Sequence, residues 1–83
     1  MVKAMAADLK KTLTDIARGI VDDPDGVSVT ETVDGDSVYL ELTVSEDDVG
    51  KVIGRHGRIA KAIRLLMKAT AGMDGRRVSV EIR

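Results

Sequence analysis

Residues 49–64 read VGKVIGRHGRIAKAIR, and no other stretch of the chain restricts the fold so tightly. At its centre, Gly54-Arg55-His56-Gly57 sets two glycines around a cation and an imidazole. Val49, Val52 and Ile53 come before it at helical spacing, and Ile59, Ala60, Ile63 and Leu66 or Met67 follow in the same way. The pattern predicts a short helix, a tight turn and a second helix that starts at once. Glycine suits such a turn because it accepts positive φ and lets another molecule's backbone come close. The second helix would open with unpaired N–H groups and the positive end of its dipole, both of which attract an anion. Arg55, Arg58, Lys61 and Arg64 add cationic side chains around the same point. A junction of this kind has the physics of a phosphate clamp.

Charge along the chain agrees with that reading although the total does not. The net charge is −1. Residues 1–48 carry four Lys/Arg against twelve Asp/Glu, a net of −8, and residues 49–83 carry nine against two, a net of +7. A basic half beside an acidic half suits one face turned to a polyanion and another turned away from it.

The other segments supply a scaffold. Residues 1–21 read as a helix with Met5, Leu9, Leu13, Ile16 and Ile20 as its apolar stripe, fraying near Gly19. Asp22-Asp23-Pro24-Asp25-Gly26 ends it. Residues 27–33 alternate, with Val27, Val29 and Val33 on one face, and Glu31 on that face suggests a strand near a sheet edge. Asp34-Gly35-Asp36 is a hairpin signal. Residues 37–44 return with Val38, Leu40, Leu42 and Val44 toward the core and Tyr39, an ordinary outward strand residue, on the other side. Ser45-Glu46-Asp47-Asp48 reads as an N-cap and an acidic first helical turn, not a metal cluster. The helix from Arg58 runs to about Ala71, Gly72 and Gly75 turn the chain, and residues 76–83 form a last strand with Val78, Val80 and Ile82 inward.

The expected order is therefore α-β-β-α-α-β: a two-layer α+β fold with helices on one face of a three-stranded sheet and a polar opposite face. Eighty-three residues with no Phe, no Trp and one Tyr must fill that core with aliphatic side chains, which predicts one domain, 1–83, of modest stability. There is no cysteine for a disulfide or thiolate metal site, and one histidine makes a protein-only zinc site implausible. No signal peptide or membrane-length apolar run is visible, so a cytoplasmic protein without cofactors is expected.

The string Val52-Ile53-Gly54-Arg55-His56-Gly57, followed by a basic amphipathic helix, resembles the V-I-G-x-x-G signature of KH domains, whose loop clamps about four nucleotides of backbone. Size and element order narrow the resemblance to small stand-alone bacterial KH proteins of the KhpA type, with the type II arrangement, over nearly the whole chain. Many KH domains carry a larger aliphatic residue where Ala60 stands, and Ile59 and Ile63 are expected to fill that space. The resemblance implies a protein that clamps short single-stranded RNA, leaves single-stranded DNA open, self-associates and pairs with a larger KH-containing protein, as an RNA chaperone or post-transcriptional regulator. It places the site on Gly54, Arg55, His56, Gly57, Arg58, Lys61 and Arg64, with Lys51 nearby, and on an aliphatic floor of Val52, Ile53 and Ile59 beside the second strand. An alternative is a dimerisation or adaptor module with little RNA affinity of its own. Catalysis is not expected. Gly50-Lys51 resembles the end of a Walker loop, but Val52 stands where Ser or Thr would hold magnesium, and no triad is visible.

Overall fold

In the computed structural model, residues 8–83 are described and form the order expected. Helix α1 spans Leu9–Ile20, β1 Ser28–Asp34, β2 Ser37–Thr43, α2 Val49–Ile53, α3 Arg58–Gly72 and β3 Arg77–Ile82. Met5, the first residue of the anticipated stripe, lies outside the described residues.

Asp8 starts α1, its side chain accepting the Lys11 N–H at 3.0 Å. Leu9, Leu13 and Ala17 are buried, with Ile16 and Ile20 packed at the margin. Helical hydrogen bonding continues through Gly19 to Ile20, so the turn in which fraying was expected is formed.

The sheet has the order β1-β2-β3. β1 and β2 pair antiparallel through a two-residue turn at Gly35 and Asp36, with Val29 opposite Leu42 and Val33 opposite Val38. β2 and β3 pair parallel, with Val38 beside Val78 and Leu40 beside Val80. A parallel pair needs a crossover, and α2 and α3 provide it. As the central strand, β2 buries Val38, Leu40 and Leu42, and Val44 follows just beyond it. Leu9 and Leu13 from α1, Val52 from α2, and Ile63, Met67 and Ala71 from α3 close over these residues.

Both edge strands are less covered than the alternation implied. Val33, expected in the core, is 60% exposed. It sits beside the hairpin turn at the end of β1, and a position opposite buried Val38 does not by itself bring a helix over it. Val78, Val80 and Ile82 are only half-buried.

Residues 45–48 also depart from the expected helix start. Ser45 makes no capping bond to the following turn; its hydroxyl donates to Asp23. Asp48 is not a solvated helix-start residue but is 2% exposed. Its carboxylate accepts the backbone N–H groups of Asp22 and Asp23 at 3.2 and 3.0 Å. The loop after α1 is thereby fastened to the entrance of α2. Burial pushes this carboxyl upward in pKa, but the two N–H donors and Lys51 outweigh burial and hold it below the ordinary carboxylate range.

Candidate nucleic-acid interface

α2 is five residues long and ends at Gly54, whose N–H closes on Gly50 O at 2.8 Å. Gly54 has φ +76° and ψ 173°, a region essentially reserved for glycine. Space imposes the same choice: a Cβ built there would lie 2.6 Å from Ile59 Cγ1 and 2.9 Å from Ile59 Cβ. Ile59 leans over the glycine, and this contact locks α3 against the end of α2.

A short 3-10 turn, Arg55–Gly57, follows. It is closed by Gly57 N–H to Gly54 O at 3.2 Å and by Arg58 N–H to Arg55 O. His56 is left-handed at φ +58° and ψ 25°, the one non-glycine residue with positive φ among those described. Gly57 is left-handed at φ +72°, and no atom lies near where its Cβ would be. Glycine is thus imposed at 54 by conformation and packing together, and is favoured at 57 by conformation alone. α3 begins straight after Gly57 with no side chain capping it, so its positive end faces outward beside the loop.

The structure brings Arg55, His56, Arg58 and Lys61 to the surface around this junction. Arg64, two turns along α3, goes elsewhere. Its Nε donates to Val80 O at 3.1 Å, so the side chain reaches the backbone of edge strand β3. Lys51 is also held away from the loop: Nζ lies 3.0 Å from Asp22 Oδ2 and 3.5 Å from Asp48 Oδ1. The bond to Asp22 is the main reason its pKa is raised.

The anticipated aliphatic floor is only partly available. Val52 has 0% exposure and belongs to the core, so no base can touch it. Ile53 is half-buried and Ile59 is 37% exposed, and these two remain. Of the three strands, β3 runs nearest to α2 and α3, and β1 nearest to α1. A parallel crossover delivers α3 directly into β3, and this places the last strand beside α2 and α3.

Asp48 is the residue that sequence reasoning missed. Within the run Ser45-Glu46-Asp47-Asp48 nothing marks one acid as buried. The only available signal was its position four residues before the valine that enters the core. Among the described residues no group of acids and histidines is placed to hold a metal ion, and no helix is long and apolar enough to cross a membrane.

Comparison with known proteins places this geometry in a family. The model for the KhpA/KhpB KH domain, a family without enzymatic activity, matches residues 10–82. Over 74 residues the chain is 51% identical to the RNA-binding protein KhpA of Clostridium acetobutylicum, covering 89% of this chain and 99% of that one. It is 51% identical over 73 residues to KhpA of Halalkalibacterium halodurans, covering 87% and 96%, and 47% identical over 74 residues to KhpA of Leifsonia xyli, covering 89% and 95%. Among solved structures, a variant of Aquifex aeolicus Era bound to GDP and aluminium fluoride superimposes with a TM-score of 0.64 at 18% identity. The match takes in 99% of this chain but 32% of Era, and the likeness is one of fold. The chain, an α+β unit with a glycine-bracketed loop between its second and third helices, belongs to the KhpA/KhpB KH-domain family.

Proposed function

We propose that residues 1–83 act as one KH unit that clamps short single-stranded RNA at the Gly54-Arg55-His56-Gly57 loop. The observation that carries this reading is the junction itself. Two positive-φ glycines turn the chain into an uncapped helix start, and Arg55, His56, Arg58 and Lys61 stand exposed around it. The amides of Gly57 and Arg58 are spent in closing the turn, so a phosphate would meet those of Arg55 and His56. Arg58 and Lys61 would then hold the strand's register, as phosphate contacts do. Ile53 and Ile59 would lie under the bases, and with no aromatic side chain in that floor the sequence preference is loose. The relatives are named as RNA-binding proteins, which favours RNA over single-stranded DNA. Work as an RNA chaperone or post-transcriptional regulator in the cytoplasm, alongside a larger KH-containing protein, follows from the resemblance alone.

The ionic strength dependence of binding tests the clamp. Contact with three or four phosphates on a single strand gives a log–log slope of about −2 to −3. An affinity unchanged between low and high salt would remove the phosphate clamp and leave the adaptor reading.

Self-association has its own support. Ala62, Leu66 and Ala69 on α3 and Met73 just after it recur at helical spacing, and all are exposed, with Leu65 alongside. Met73 is 87% exposed. An apolar stripe of this length on a small domain suits a second copy of the chain or a partner KH unit.

A further inference from the structure

The sheet face turned away from the helices carries a groove of about 460 Å³, within the range of small-ligand sites. Its lining includes Tyr39, Thr30, Thr32, Ser79, Glu41 and Glu81, with Arg64 at the rim. The register explains the grouping. Thr32, Tyr39 and Ser79 form one cross-strand row, and Thr30, Glu41 and Glu81 the next. Tyr39, the only aromatic residue of the chain, is 49% exposed there.

We propose that this groove takes one nucleobase bearing an exocyclic amino group, from the same RNA strand that the loop clamps. Three features decide the ligand class. First, Arg83 reaches Oε2 of Glu41 at 3.2 Å and Oε1 of Glu81 at 2.8 Å, which leaves the second oxygen of each carboxylate to accept a hydrogen bond. With Arg83 between them the two carboxylates keep a net charge of −1, which disfavours a phosphate, and their remaining oxygens accept from an amino group, as carboxylates do from cytosine N4. Second, the Tyr39 ring supplies a stacking surface and the three hydroxyls supply adaptable donors and acceptors. Third, Arg58, Lys61 and Arg64 recur every three residues along α3, so a cationic row descends about 9 Å from the clamp toward the groove. Arg64 ends that row. Its Nε is held by Val80 O, which leaves the two terminal nitrogens of the guanidinium for a phosphate at the rim. A strand leaving the loop thus finds cations across the β3 edge and then a slot from which phosphate is repelled and into which an amino-bearing base fits.

The proposal rests on RNA being the ligand of the clamp, and the test separates the two. Tyrosine emission reports Tyr39 alone, because no Trp and no other Tyr is present. End-labelled oligonucleotides of about four nucleotides, the length the loop clamps, and of about twice that length are titrated while emission is recorded. Cytosine or uracil occupies the added positions. The short oligonucleotide is expected to bind without changing emission. The longer cytosine-containing one should quench Tyr39 and bind about tenfold more tightly. Tyr39→Ala should abolish that gain and leave the short oligonucleotide unaffected, whereas Tyr39→Phe should retain it. Binding of both oligonucleotides with equal affinity and unchanged emission would overturn the groove and spare the clamp. Quenching by the longer RNA with no binding of the short one would support the groove and overturn the clamp as the primary site. An equal gain from uracil would overturn the role given to the carboxylates.

Discussion

Replacing Gly54 with alanine is the most severe single-atom perturbation the glycine-bracketed loop offers. Two independent costs fall on that Cβ. At φ +76° and ψ 173° an L-residue lies in a glycine-only region, which costs about 1–3 kcal/mol. The same atom would stand 2.6 Å from Ile59 Cγ1 and 3.0 Å from Ile59 Cδ1, so Ile59 or α3 must move, and overpacking of this kind costs about 1–3 kcal/mol. Together they give a loss of about 2–6 kcal/mol. A domain of this size is held by about 4–12 kcal/mol, so the variant would keep only part of its stability. Gly57→Ala is the internal control. It meets no atom within 4 Å and bears only a left-handed φ of +72°, for about 1–2 kcal/mol. Urea unfolding of both variants gives the comparison directly. Removing the Ile59 side chain beyond Cβ in a Gly54→Ala/Ile59→Ala double variant should recover part of the packing cost, since Ile59 Cβ stays 2.9 Å from the added atom, but none of the backbone cost. If Gly54→Ala cost no more than Gly57→Ala, the packing of Ile59 over the glycine would be wrong.

Three further outcomes follow from the same geometry. Asp48 has a folded pKa below its unfolded one, so its contribution is present above about pH 4 and is lost as pH falls through the folded pKa; thermal melts of Asp48→Asn across that window should be less stable than wild type at neutral pH and flatter in acid. Val52→Ala should cost about 2–3 kcal/mol in urea unfolding, because a fully buried side chain leaves a cavity, while RNA affinity of the folded fraction stays unchanged; a selective loss of affinity would return Val52 to the binding floor. Leu66→Glu/Met73→Glu, on the exposed face of α3 and just after it, should shift any dimer seen in sedimentation to monomer while the variant still melts as a folded chain, and a dimer that persists would place the interface elsewhere.

What could be read from residues alone was whatever local periodicity and glycine placement determine. The order of elements, the inward set Val38, Leu40, Leu42 and Val44, and the positive φ at Gly54 and Gly57 all follow from patterns within a few residues. Contacts made at long range were out of reach. Asp48 is held by backbone amides about twenty-five residues earlier, and only its spacing to Val52 sets it apart from Asp47 locally. Lys51 looks like part of the basic clamp until the loop after α1 brings Asp22 to it. Val52 and Ile53 are indistinguishable in the string, yet the helix phase sends one into the core and leaves the other at its margin. The left-handed His56 could not be foreseen either, since the rules for such a turn assign positive φ to its glycines and not to the residue between them.

The clamp itself is tested most directly by changing Arg55 and His56 together to Asp. Both side chains are exposed between the two glycines, so the core does not depend on them, and surface changes cost under about 0.5 kcal/mol. Aspartate also tolerates the left-handed backbone that His56 adopts. Two carboxylates beside the start of α3 suit its dipole, yet each would oppose a phosphate by about 1 kcal/mol per close pair even in water. The measurement pairs a titration with labelled single-stranded RNA and a thermal melt on the same double variant. Loss of binding with an unchanged melt is the predicted result, and wild-type affinity in the folded variant would contradict the account.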